Sequence, residues 1–89
     1  MHKEKSIAVN SHFQLQYEEA QACYVLLYPE GMVQLNQSAG LIMSLCDGEN
    51  TIGKIAEILE EKFGSTGLEK EIESFLTEAM QRKWVEYAN

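Results

Sequence analysis

The chain has 89 residues, 45% of them apolar and 24% charged, which is typical of one small globular domain with its own core. Fourteen acidic residues against seven basic ones give a formal net charge of −7, which argues against a surface that follows nucleic-acid phosphates. No apolar run approaches the roughly 20 residues that cross a bilayer, and no apolar stretch follows the basic N-terminal residues. We therefore expect a cytoplasmic protein with no membrane partner.

We predict a flexible leader over residues 1–11, because Ile7 and Val9 are its only substantial apolar residues besides the first methionine. Residues 12–89 are predicted to form a single domain. This domain opens with a strand over residues 12–19, where apolar and polar side chains alternate and would face opposite sides of a sheet. The apolar set is Phe13, Leu15 and Tyr17, and the polar set is Gln14, Gln16 and Glu18.

Residues 22–36 predict a hairpin that leads into a helix. The run 24–28 is rich in strand-forming side chains, and the Pro-Glu-Gly sequence at residues 29–31 is typical of a tight turn. A short second run, residues 32–35, ends at Asn36, which is a good helix N-cap. A short strand that feeds directly into a helix is expected at the edge of its sheet. Such an edge is either protected against aggregation or used as a binding site for a strand of another chain.

Three amphipathic helices are predicted after the hairpin. They cover residues 37–46, residues 52–63 after an N-cap at Thr51, and a third segment from a capping box at residues 66–69 to about residue 82. Gly40 lies inside the first helix, where we expect it to allow a close backbone approach. Residues 84–87 are expected to pack back as a short extended or turn segment. The predicted fold class is α+β: a three-stranded antiparallel β-meander followed by a three-helix bundle, winged-helix-like.

The sequence contains no arrangement of residues that indicates catalysis. His2 and His12 recruit no partner, and Cys23 and Cys46 have no neighbouring ligand at metal-binding spacing, so the cysteines are interpreted as small buried hydrophobes. No phosphate-cradling loop, paired histidine motif or nucleophile motif is present, and the carboxylates of the second helix are typical of a solvated face. We predict that the chain is not an enzyme and that it uses no cofactor and no metal.

A small sheet with three short helices is also the plan of a winged helix that places its third helix in the DNA major groove. The charges oppose this alternative. Residues 68–83 contain four glutamates against two lysines and one arginine. An acidic recognition helix would be repelled by the phosphates, so we predict no nucleic-acid partner.

Several stretches together resemble one known family. They are Val25-Leu-Leu-Tyr-Pro-Glu-Gly31, Leu35-Asn36, Ala39, Asp47-Gly48, Thr51 and the aromatic close at Trp84. In these residues the chain is similar to the PqqD family, pyrroloquinoline quinone (PQQ) biosynthesis protein D, and the likeness spans residues 13–85. The Leu-Leu-Tyr-Pro-Glu-Gly stretch is specific, because a generic hairpin would not require it.

The resemblance implies a stand-alone recognition element for a ribosomally made, post-translationally modified peptide (RiPP). It implies that the precursor peptide PqqA docks as an extra strand on the third strand and rests against the third helix. The domain would then present PqqA to PqqE, a radical S-adenosylmethionine enzyme that joins a Glu to a Tyr within the peptide. The expected peptide-binding residues are Met32, Val33, Gln34 and Leu35 on the strand, and Ile72, Phe75, Leu76 and Ala79 on the helix. Among the side chains, Phe75 and Val33 are favoured for ligand contact, whereas Ile72 and Leu76 are equally suited to the core.

Two alternatives stay open. The chain could act mainly by binding the modifying enzyme, through the acidic face of the second helix or through residues 84–87, while the peptide contacts mostly that enzyme. Docking led by charge weakens steeply with ionic strength and strand addition much less, so salt dependence separates these modes. The exposed strand edge could also pair two copies of the chain, so we expect a monomer or a weak homodimer.

Overall fold

The computed structural model describes residues 2–88, which fold into five strands and three helices. In chain order the elements are β1 (Ile7–Val9), β2 (Gln14–Glu18), β3 (Cys23–Tyr28), β4 (Gly31–Gln34), α1 (Gln37–Ser44), α2 (Ile52–Phe63), α3 (Glu69–Gln81) and β5 (Val85–Tyr87). The predicted α+β class is confirmed, with the helices following the meander. None of these helices is both long and apolar enough to cross a bilayer.

The predicted meander is confirmed as a three-stranded antiparallel sheet in the order β2-β3-β4. Its hairpin closes over two residues, because Tyr28 pairs with Gly31 across Pro29 and Glu30. Gly31 has a φ of 158°, which residues with a Cβ rarely adopt. One sheet face carries Leu26 and its cross-strand neighbours toward the helices, and β4 is left at the sheet edge.

Residues 7–9 correct the prediction of a flexible leader over residues 1–11. They form β1, which pairs antiparallel with β5 in a second, two-stranded sheet. Ile7 is 0% exposed, and its main chain also bonds to the loop before α2: its N–H donates to the Asn50 carbonyl, and its carbonyl accepts from Gly48. Three residues are too few to show an alternating pattern. The domain therefore includes residues 7–9, which lie before the boundary expected at residue 12. Met1, which is also part of the predicted leader, lies outside the described residues.

The helix ends follow the predicted capping with one exception. Asn36 and Thr51 are N-caps, with side-chain oxygens accepting from the N–H groups of Ala39 and Lys54 at 2.8 and 3.2 Å. The capping box at residues 66–69 is wrong, because α3 starts at Glu69 and has no side-chain cap. Instead the Leu68 N–H donates to the Glu60 carboxylate of α2 at 2.9 Å, so the two helices are joined where the box was expected.

The core lies between the meander, the three helices and the small sheet. Its buried members are Ile7, Leu26, Leu35, Ala39, Ile42, Met43, Cys46, Ile52, Ile55, Ala56, Leu59, Ile72, Leu76, Ala79 and Val85. Burial, with the nearby Asp47 carboxylate adding to it, raises the pKa of the Cys46 thiol to about 12. The thiol therefore stays protonated at neutral pH and packs as a small hydrophobe, as predicted. Cys23 is only partly buried.

Gly40 allows α1 to approach β3 closely, and this predicted role leads to a stability test. A Cβ at position 40 would lie 2.8 Å from Cδ2 and 3.1 Å from Cβ of Tyr24. We expect Gly40→Ala to lower the free energy of unfolding by about 1–2 kcal/mol, because overpacking outweighs the gain in helix propensity. Urea denaturation measures this change.

Gly53 supplies the matched control for that measurement. It also lies in a helix, but a Cβ there would have no neighbour within 4 Å. Gly53→Ala should raise the free energy of unfolding by about 0.5 kcal/mol through the reduced entropy of the unfolded chain. If both substitutions stabilise the protein, the close approach of α1 to Tyr24 is wrong.

Candidate functional site: an open strand edge and an apolar groove

The β4 edge presents main-chain groups that are not used within the sheet. The Leu35 N–H donates to the Tyr24 carbonyl at 2.9 Å, and Val33 lies opposite Leu26 in the same register. Main-chain groups of alternate residues point to opposite sides of a strand, so those of Met32 and Gln34 point away from β3. In the part of the chain that the structure describes, no further strand pairs with β4. This edge can therefore accept an extended chain.

The side chains of β4 divide between the two faces of the sheet. Val33 and Leu35 lie on the face that carries Leu26, where Leu35 is buried and Val33 is partly buried. Met32 and Gln34 lie on the other face, and Met32 is 55% exposed. The Gln34 side chain donates to the Oε1 atom of Gln21 at 3.0 Å. The predicted strand residues are thus together, but only Val33 turns a partly exposed apolar side chain toward the helices.

The predicted residues of α3 differ sharply in exposure. Leu76 and Ala79 are 0% and 1% exposed, so they have no surface free for a peptide and belong to the core. Ile72 is also buried, whereas Phe75 is partly exposed. Spacings of four and three residues place Ile72, Leu76 and Ala79 on one helix face, and that face packs inward. Of the predicted α3 residues, Ile72 and Phe75 are the two that reach a surface cavity.

This cavity is an apolar groove of about 530 Å³ that begins at Asn36, two residues beyond Gln34. Its size is within the range of about 300–1,000 Å³ that is usual for small binding sites. The groove draws its apolar lining from all three helices and from the N-cap residue of α3. These residues are Ala39, Leu41, Ile42, Leu59, Phe63, Leu68, Ile72 and Phe75. The groove therefore lies beside the segment that follows β4 in the chain.

Sequence reasoning missed several groove residues, among them Phe63, which is the large apolar side chain of the lining that is exposed. Phe63 fits the apolar stripe of α2, and this pattern predicts burial. It is nevertheless 51% exposed, because it is the last helical residue before Gly64 turns the chain in the left-handed region at φ 62°. The position of an apolar residue at the end of a helix, directly before a glycine C-cap, was the available signal.

The groove has an acidic rather than a basic rim. Among the described residues that line it, Glu71 alone is charged. On the same helix, Glu69 and Glu73 lie 3.2 and 3.8 Å from the Lys3 ammonium, and the hydrogen bond to Glu69 raises the pKa of Lys3. Between residues 2 and 88, no group of three or more His, Cys, Asp or Glu side chains is placed to hold a metal ion.

These features define a class of protein: a small α+β domain that offers an open strand edge and an adjoining apolar groove. Both features are used by domains that take up a peptide in extended form. Residues 23–85 match the family model for coenzyme PQQ synthesis protein D (PqqD). The chain belongs to the PqqD family.

Relatives with known names agree with this assignment. The chain is 48% identical over 75 residues to the PqqA binding protein of Azotobacter vinelandii, an alignment that covers 83% of this chain and 82% of that protein. It is 42% identical over 71 residues to the PqqA binding protein of Methylococcus capsulatus, with 80% and 76% covered.

Two solved structures share the fold. One is the PqqD truncation of Methylobacterium extorquens PqqCD, described as a functional, stand-alone RiPP recognition element. It has a TM-score of 0.77 and 27% identity, covering 94% of this chain and 92% of that one. The other is the heterocyclase TruD, with a TM-score of 0.71 and 22% identity over 93% of this chain and 11% of that protein. The TruD likeness concerns the fold alone.

Proposed function

We propose that this chain binds the precursor peptide PqqA by adding it as a strand to β4. The observation that carries the proposal is the outward direction of the Met32 and Gln34 main-chain groups at an unpaired sheet edge. A main-chain ladder gives affinity without requiring particular side chains, so it suits a short peptide that must later be released. The name PqqA binding protein, carried by a relative that is 48% identical, supports the choice of peptide.

In this proposal the chain acts without chemistry of its own and presents PqqA to PqqE in the cytoplasm. PqqE would carry out the Glu–Tyr cross-linking while the domain holds the peptide. The acidic face of α2 is the surface offered to the enzyme. Residues 84–87 are a weaker choice, because Val85–Tyr87 is already paired with β1.

The proposal is tested by titrating the isotope-labelled protein with synthetic PqqA and following its backbone amide signals. We expect the largest shifts at Met32–Leu35, since their main-chain groups would form the new ladder. The second open edge, β2, is the internal control: its outward groups at Leu15 and Tyr17 should shift little. Shifts centred on β2 or on α2, with β4 unchanged, would contradict strand addition to β4.

A further inference from the structure

The groove next to β4 contains apolar surface that the fold leaves exposed. Its floor is formed by buried side chains such as Leu59 and Ile72, whereas Phe63, at 51% exposure, lies at its rim. Aromatic side chains, Phe included, are enriched in protein interfaces, and a few residues packed into pockets carry most of the binding energy there. Phe63 is the last residue of α2 and Glu71 lies in the first turn of α3, so neither residue belongs to the strand edge.

Glu71 differs from its neighbours on α3 because its carboxylate has no partner. Lys3 lies beside both Glu69 and Glu73. The Glu71 side chain forms no hydrogen bond or ion pair with any residue from 2 to 88. No lysine, arginine or histidine lines the groove within the described chain. An unpaired carboxylate at the rim of an apolar groove is complementary to a cation next to an apolar side chain.

We propose that this groove is a specificity pocket that takes one bulky apolar side chain of the guest peptide together with an adjacent lysine or arginine. Phe63 contacts the apolar side chain, and Glu71 pairs with the basic residue. The inference rests on the proposed strand addition, because β4 leads the peptide to Asn36, where the groove begins. The pocket would give the domain specificity for particular peptide side chains. A main-chain ladder cannot provide this specificity, because it contacts only backbone atoms.

The apolar half of the pocket is tested with Phe63→Ala and a matched control, Tyr17→Ala. Both residues are aromatic and about half exposed, at 51% and 49%, but Tyr17 lies on β2, outside the groove. Calorimetry with synthetic PqqA should show affinity reduced by roughly tenfold for Phe63→Ala and unchanged within about twofold for Tyr17→Ala. Urea denaturation of each variant without peptide shows whether folding is retained.

The charged half is tested with Glu71→Gln and Glu86→Gln, which change the net charge equally. Glu86 is exposed on β5 and is also unpaired, but it is not part of the groove. Glu71→Gln should weaken PqqA binding several-fold at low salt and flatten its salt dependence, while Glu86→Gln should do neither. Peptide variants with each lysine or arginine replaced by glutamine identify the partner: one of them should lose affinity for the wild-type domain and not for Glu71→Gln.

The outcomes separate the pocket from the strand addition. If Gln34→Pro abolishes binding while Phe63→Ala and Glu71→Gln do not affect it, the pocket is wrong and the ladder stands. If none of the three affects binding, both the strand addition and the pocket are wrong and PqqA binds elsewhere on the domain, whereas a wild-type domain that does not bind PqqA would contradict the proposed function itself. The groove could instead be filled by a second copy of the chain, and sedimentation without peptide tests this alternative. A concentration-dependent dimer that Phe63→Ala dissociates would assign the groove to dimer formation and contradict the pocket.

Discussion

Gln34→Pro is expected to weaken PqqA binding by at least about tenfold, or about 1.4 kcal/mol, while the protein stays folded. The proline ring removes an N–H that points away from β3 and places carbon atoms where the guest strand would lie. Proline is tolerated on an edge strand when the lost donor faces outward, so the sheet should survive. Calorimetry measures the affinity, and amide spectra of the free variant report the fold.

Two further variants make this result specific to the main chain. Gln34→Ala keeps the N–H and removes the side chain with its hydrogen bond to Gln21, so PqqA affinity should change by less than about threefold. Val33→Pro is the opposite control, because Val33 points its main chain toward Leu26 and the substitution should disrupt the sheet itself. Equal losses for Gln34→Ala and Gln34→Pro would assign binding to the side chain and contradict the ladder.

Ile7→Ala is expected to lower the free energy of unfolding by about 2–5 kcal/mol, the range for deleting a buried Ile side chain. Ile7 is completely buried between the helices and the small sheet. A loss of this size is a large part of the about 5–15 kcal/mol that stabilises a typical domain. Urea denaturation measures it, and Ile7→Val should lose only about 0.5–1.5 kcal/mol.

Met32→Ala provides the comparison for an exposed apolar residue. Met32 is 55% exposed, so its truncation should change the free energy of unfolding by less than about 0.5 kcal/mol. If Ile7→Ala were equally mild, residues 1–11 would behave as the mobile leader that the sequence alone predicts, and the β1–β5 sheet would contribute little.

Local patterns in the sequence predicted most of the fold. Alternation over residues 12–19 and the Pro-Glu-Gly turn identify the meander, and Asn36 and Thr51 mark two helix starts at the residues that cap them. These signals work because each depends on neighbours within a few residues. The small sheet escaped prediction because its strands pair Ile7 with Tyr87, and three-residue strands contain no alternation to detect.

The candidate site was only partly predictable for a related reason. The hairpin and the short strand before Asn36 indicate an open edge, so residues 32–35 could be named from sequence. The exposure of each residue in an apolar helix face could not be predicted from the sequence. Leu76 and Phe63 both fit the apolar periodicity, yet Leu76 is fully buried and Phe63 is half exposed. The difference depends on where α2 ends against α3, and the Glu60 contact to Leu68 that helps set this arrangement connects residues eight positions apart.

The pairing of Ile7–Val9 with Val85–Tyr87 also determines when this domain can be completed during translation. A nascent chain emerging from the ribosome would expose Ile7 until Val85–Tyr87 had been made, because these residues form its partner strand. Closing so long a loop is entropically costly and tends to slow folding. The three-stranded meander can form early from adjacent segments, whereas the pairing of β1 with β5 has to wait until residues 85–87 are made.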